Sequence, residues 1–204
     1  MKIREYLNSQ VREYLESVPP NITSDVYALS MYISDECDLE LQNVELSVGV
    51  HTESQVIARL NRARNQTDEF EARWSFLVWS DPHEPFVWGK QNYKTVLGED
   101  RDLDPVGLEY REEWLRESGL WGLEADDFDD YEEYFEVVHN AKEAFWSLIG
   151  EVGLEQRRSG LIARIFGDRR ILIAVHRVAS NLDNSATRIA NPDGEVEFFG
   201  LARE

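Results

Sequence analysis

Carboxylates dominate the chemistry this sequence offers. Between Glu99 and Glu136 it places sixteen acidic side chains against three basic ones, a local balance of −13. Inside that stretch Asp126, Asp127, Asp129 and Asp130 crowd together and are followed at once by Tyr131 and Tyr134. Negative charge mixed with aromatic surface suits recognition of a basic protein, because carboxylates steer the encounter and buried rings anchor it. Trp114 and Trp121 lie in the same stretch and are expected as further partner-facing anchors. The plain account is that the aspartates open a helix, where negative charge meets the positive end of the helix dipole, and that the rest is a solvated face.

A second chemistry comes from arginine. From Arg157 to Arg188 there are seven arginines and two aspartates, a balance of +5 that cannot absorb the −13 upstream. Arg157, Arg158, Arg164, Arg169, Arg170 and Arg177 together could grip a phosphate or carboxylate, which makes an enzyme or a small-anion binder the alternative reading. That alternative requires the guanidinium groups to converge rather than to pair within the chain.

The remaining motifs fail on spacing. Asp100, Asp102 and Asp104 alternate like a calcium loop, but Pro105 and Arg111 stand where an EF-hand needs glycine and glutamate. Glu136 and His139 share a helix face, yet di-metal bundles use two such pairs and this chain has one. Cys37 sits among acids, which hold a thiol protonated. His51, His83, His139 and His176 are isolated in sequence, and His176 is expected to alternate outward from its strand. No nucleophile elbow and no glycine-rich phosphate loop is present. No catalytic residue, metal site or cofactor is assigned, and the expectation is a non-enzymatic binding protein.

Composition bounds the rest. The chain has 204 residues, a net charge of −19 and a sequence pI near 4.6, a field that repels nucleic acid and anionic membranes alike. Its hydrophobic content of 42% with six tryptophans is enough for a real core. One cysteine excludes an intrachain disulfide, no run approaches the ~18 apolar residues of a membrane span, and the charged amino terminus does not read as a signal peptide. A reducing cytoplasm is the expected setting.

These residues need a frame. Ile3, Leu7, Val11, Tyr14 and Val18 recur at helical spacing, and Pro19-Pro20 ends that helix. The apolar run Val26 to Ile33 predicts a central strand covered on both faces. Alternation resumes from Leu39 to Val50 with a phase slip near Asn43, read as a bulge or a short loop. Thr52 and Gln55 form a capping-box pair opening a helix with Val56, Ile57 and Leu60 inward. Glu71 to Trp79 alternates and predicts a strand, and Phe86 to Trp88 a short edge strand. Helices are expected over 105–118 and 127–157. The second carries Phe128, Tyr131, Phe135, Val138, Phe145, Leu148 and Val152 inward, interrupted at Lys142 and weakened by Gly150 and Gly153. A hairpin of Leu161 to Phe166 with Arg170 to Val178, a helix near 182–190 and a strand from Glu195 to Phe199 complete the prediction. The fold class is α+β: a single domain with an antiparallel or mixed sheet, helices mainly on one face, and an acidic helical elaboration at about 99–136.

Several of these segments resemble an uncharacterised bacterial family whose domain has no assigned function. Val26-Tyr27-Ala28-Leu29-Ser30-Met31-Tyr32-Ile33 is similar to its YALALY-like strand, the helix from Thr52 to its ANTEE-like helix start, and Arg73-Trp74-Ser75 through Trp79 to its RWSPAEW-like segment. Ser185-Ala186-Thr187-Arg188-Ile189-Ala190-Asn191-Pro192 is similar to its closing ES-x-R-x-LNP pattern, whereas Phe76-Leu77 departs from the Pro-Ala of the middle motif. The resemblance supplies no catalytic residues. It implies an immunity-like role, since such genes accompany toxin–immunity systems.

Overall fold

The computed structural model describes residues 2–34, 44–62, 69–74, 83, 86–88, 105–123, 127–177, 182, 184–191, 195–199 and 201. Helix α1, Lys2–Ser17, buries Ile3, Leu7, Val11 and Tyr14, the stripe its sequence spacing predicts. Pro19 precedes a single turn, α2, Pro20–Thr23, which leads into strand β1, Val26–Ser34. Strand β2, Glu45–Thr52, runs antiparallel to β1, with a register shift between Val26 and Ala28 that places the irregularity at Tyr27. The phase slip expected near Asn43 lies outside the described residues.

At the end of β2 the Thr52 amide donates to Gln55 Oε1 at 2.9 Å, one half of the expected capping box, and α3, Glu53–Arg62, begins. Val56 is buried, but Ile57 is 57% exposed, so the inward stripe runs through Val56 and Leu60 only. The segment expected to start a strand at Glu71 is instead helix α4, Glu69–Trp74. Arg73 explains the change. It reaches back one turn to Glu69 at 3.6 Å and makes two contacts with Glu53 of α3, at 2.5 and 2.8 Å, which tie α4 to α3.

Strand β3, Phe86–Trp88, is a short edge strand as expected, and it pairs antiparallel with β2. Helix α5, Pro105–Glu117, precedes α6, Tyr131–Arg158, a 28-residue helix capped by Asp130, whose side chain accepts from the Glu132 amide at 2.9 Å. The predicted hairpin is absent from the described residues: Leu161–Phe166 is a helix, α7, entered through Gly160 at φ +75°. A six-residue apolar run carries no periodicity that separates helix from strand, and here Leu161, Ile162 and Phe166 turn inward on a helix. Strand β4, Leu172–His176, then pairs parallel with β1. Helix α8, Ser185–Ala190, follows, and Glu195–Phe198 is a short helix, α9, rather than a strand.

The sheet order is β3-β2-β1-β4, so β1 is central and mixed in its pairing. Leu29, Met31, Ile33, Leu46, Val48, Val50, Ile173 and Val175 face the larger core with α1, α5, α6, α7 and α8. Ala28, Leu172 and Ala174 face a smaller core built from Val56, Ala72, Trp74 and Val196. Helices therefore lie mainly, though not only, on one face of this α+β fold.

Strand β4 is an edge strand, and α8 supplies the bonds that a further strand would have made. Asn191 Oδ1 accepts from the Ile173 amide at 2.9 Å while its Nδ2 donates to the Ile173 carbonyl at 2.6 Å. Thr187 Oγ1 accepts from the Val175 amide at 3.0 Å and donates to the Val175 carbonyl at 2.9 Å. Asn184 Nδ2 adds a bond to that carbonyl at 2.8 Å, and Arg157 Nη2 donates to the Ile171 carbonyl at 2.7 Å. Buried backbone groups are thereby paired although no strand lies beyond β4 in the described sheet.

This arrangement reverses the sense of Gly150 and Gly153. They look like helix weaknesses in sequence, but a Cβ at Gly150 would lie 2.7 Å from the Ala186 carbonyl oxygen, and one at Gly153 would meet Ala190 Cβ and Ile173 Cγ2 at 3.0 Å. Both glycines let α6 and α8 approach at backbone distance. Gly to Ala in an open helix interior stabilises by about 1 kcal/mol. Gly150→Ala is expected to have the opposite sign here, destabilising by about 1–3 kcal/mol as backbone is forced apart. Urea unfolding midpoints of the two proteins check it.

Candidate functional site

The last described part of the acidic stretch, from Asp127 to Glu136, forms an exposed surface where α6 begins. Asp127, Asp129, Glu132, Glu133 and Glu136 are exposed, and Asp130 caps the helix. Asp126 lies outside the described residues. Among the described residues no lysine or arginine pairs with Asp129, Asp130, Glu132, Glu133 or Glu136, whereas Glu112, Glu113 and Glu151 elsewhere on this side pair with Arg116, Lys2 and Arg4.

The rings expected to anchor a partner divide. Tyr134 is 4% exposed and packs against Phe128, with ring centroids 5.3 Å apart, so it belongs to the core rather than to a contact surface. Trp114 is half-buried against Phe145 at 5.2 Å, another correction. Trp121 is 42% exposed, with the Arg116 guanidinium 5.3 Å from its ring. Tyr131 is 50% exposed, and Phe135, expected inward, is 43% exposed and meets Tyr131 edge to face at 4.6 Å. The buried stripe of α6 starts at Tyr134 and Val138, whereas the expected stripe ran from Phe128 through Tyr131 and Phe135; that shift hid Phe135 as the exposed neighbour of Tyr131.

The six arginines of the alternative reading do not converge. Arg157 serves the edge of β4, Arg164 pairs with Glu16, and Arg169 holds the Thr23 carbonyl and, at 3.1 Å, that of Val26. Arg170 lies over Phe198 at 4.1 Å, Arg177 lies over Trp146 at 4.4 Å with Glu143 at 3.8 Å, and Arg158 is exposed. Five of the six are engaged structurally, at separate places, and Arg158 shares none of those contacts.

A different polar cluster occupies the second face of the sheet. Cross-strand pairing puts His51 beside Ala28, Gly49 beside Ser30 and Ala174 beside Ser30 on β4. Ser30 Oγ lies 2.7 Å from His176 Nε2, and both residues are buried. His176 is 2% exposed, not turned outward as alternation suggested, because helices cover this face as well. Burial pushes the His51 imidazole down to about 3, helped by the nearby His176 and Arg59, and burial alone pushes His176 down to about 3. Burial also raises the Tyr27 phenol to about 12, against the pull of Arg59 and Arg73. Arg59 was overlooked in the sequence, although its place three residues after the buried Val56 puts it on the inward side of α3.

Glu136 and His139 are both exposed, and among the described residues no group of three or more His, Cys, Asp or Glu side chains is placed to hold a metal ion. Among the same residues no helix is long and apolar enough to cross a membrane. Asp100 to Asp104 and Cys37 lie outside the described residues. No family model, curated protein or solved structure matches the chain.

The buried histidines set a pH dependence. Their native pKa lies below the unfolded value of 6.5, so the unfolded chain binds more protons and stability falls as pH drops from 6.5 toward 3. Each histidine contributes a limiting slope of about 1.4 kcal/mol per pH unit inside that window. Between pH 6.5 and 5, above the carboxylate range, urea midpoints are expected to decline, and His51→Gln to decline less steeply than wild type.

Proposed function

We propose that this chain is a non-enzymatic acidic binding protein that captures a basic protein partner, in the manner of an immunity protein, through the first turns of α6. The observation that carries the reading is the Tyr131–Phe135 pair, exposed on a helix whose neighbouring Asp129, Asp130, Glu132, Glu133 and Glu136 have no lysine or arginine partner among the described residues. Exposed rings supply the apolar anchor that holds a complex together, and the carboxylate rim supplies steering and selection for positive charge. The sequence surplus of −13 over 99–136 is of the same sign as the patch. A bacterial cytoplasmic setting belongs to the same proposal and rests on the resemblance and the single cysteine. The enzyme alternative has no comparable support, since five of the six arginines it needs are engaged in separate structural contacts.

The two parts of the surface separate in a kinetic experiment on a cationic host protein, measured by stopped-flow mixing. The association rate is expected to fall steeply with salt, because ions screen the field over ~8 Å at physiological strength. Replacing Asp127, Asp129 and Asp130 by Asn should flatten that dependence. Replacing Tyr131 and Phe135 by Ala should act instead on dissociation, speeding it on the order of tenfold or more. An association rate indifferent to salt and to the Asn substitutions would reduce the carboxylates to a solubilising face.

A further inference from the structure

Helix α6 carries one short pattern twice. Glu132-Glu133-Tyr134-Phe135 and Glu143-Ala144-Phe145-Trp146 both read acid, any residue, aromatic, aromatic, and they stand eleven residues apart. Eleven residues at ~100° each come within about 20° of three full turns, so the two copies lie on the same side of the helix, roughly 16 Å apart. Burial agrees with that register: Tyr134 and Phe145, the third residues of the two copies, both lie in the core, 4% and 1% exposed. In each copy the acid and the last ring are three residues apart and are therefore neighbours on the helix surface.

The inner copy shows what the pattern does. The Arg177 guanidinium lies over the Trp146 ring, 4.4 Å from its centroid, and its Nη2 is 3.8 Å from Glu143 Oε1, so one arginine is held between ring and carboxylate. Arg73 is held in the same manner between the Tyr27 ring, at 4.9 Å, and Glu53, and Arg116 between the Trp121 ring and Glu112. A phenyl ring serves as well, since Arg170 lies 4.1 Å over Phe198. At the outer copy Phe135 is 43% exposed, and among the described residues no arginine or lysine lies over it or pairs with Glu132.

We infer that Glu132 and Phe135 form the receptor for a single arginine side chain of the basic partner. The inference rests on the acidic-binding reading of α6 and narrows it from positive charge in general to arginine. A guanidinium is flat, so it can lie on the Phe135 ring while its edge donates two hydrogen bonds to the Glu132 carboxylate. A lysine ammonium is compact and more strongly hydrated, and it gains less from either contact. Tyr131 packs edge to face against Phe135 at 4.6 Å and holds that ring in place.

The test titrates the full chain into fluorescein-labelled hexa-arginine and hexa-lysine and follows fluorescence anisotropy at fixed ionic strength. The peptides carry equal charge, so the acidic field attracts both and the ring distinguishes them. Hexa-arginine is expected to bind about three- to tenfold more tightly than hexa-lysine. Phe135→Leu keeps apolar bulk and removes the aromatic face. It should bring that ratio close to one while changing the hexa-lysine affinity by less than about twofold, and Phe135→Trp should widen the ratio. Glu132→Gln should weaken hexa-arginine more than hexa-lysine. Both positions are exposed, and circular dichroism checks that the variants fold. Equal affinities for the two peptides overturn the inference and leave the acidic reading intact; the same result is expected if an arginine of this chain already lies on Phe135. An arginine preference that survives Phe135→Leu also overturns it, because the preference then resides elsewhere. Failure of both peptides to bind removes the acidic reading and this inference together.

Discussion

The outer edge of β4 is the constraint on which the fold turns. A buried edge strand leaves amides and carbonyls that must find partners, and in most sheets another strand provides them. Here Asn184, Thr187 and Asn191, spaced by three and four residues, bring two amide groups and a hydroxyl along one side of α8 to meet Ile173 and Val175. Arg157 takes the Ile171 carbonyl and shares Asn191 Oδ1 at 2.9 Å, so α6 joins the same network. For those short side chains to reach, α8 must lie against the strand and against α6 at backbone distance. Gly150, Gly153, Ala186 and Ala190 are the residues that allow it.

That contact has consequences at the other end of α6. A helix of 28 residues is about 42 Å long, and its C-terminal half is fixed by the β4 edge, the glycine contact and the core around Phe145 and Ile149. Its N-terminal turns, with Asp130 as cap and Tyr131 and Phe135 exposed, are carried outward by the same rigid element. A rigid support would lower the ordering cost of using those rings as the proposed anchors. The second sheet face follows a different logic: a smaller core that admits Ser30, His51 and His176 beside Trp74 and Leu172 holds polar groups the larger core excludes.

What the sequence disclosed depended on length and period. Helix α1 and strand β1 were legible because their apolar positions repeat over nine or more residues with proline or charge at the ends. Helices α4, α7 and α9 span six residues or fewer, too short for a period to declare itself, and their type was decided by Arg73 bridging to Glu53 and by Gly160 redirecting the chain. Gly150 and Gly153 misled because helix propensity counts the solvated helix, whereas here the close approach of α8 governs. The closing segment Ser185 to Asn191 was visible as a pattern, but its chemistry acquired meaning only once β4 lay beside it. Phe135 was misplaced because a helix stripe shifted by one turn sends the wrong residue inward, and Arg59 was missed because the stripe through Val56 was read without its i+3 position.

Side chains stand in for a strand at the β4 edge, and amide hydrogen exchange at Ile173 and Val175 measures this directly. Both amides point away from β1 and toward Asn191 and Thr187, at 2.9 and 3.0 Å. They are predicted to exchange as slowly as the Leu172 and Ala174 amides that lie in the β1 pairing, and Thr187→Val should release Val175 while leaving Leu172 protected. Rapid exchange at Ile173 and Val175 in the folded wild-type protein would contradict the account.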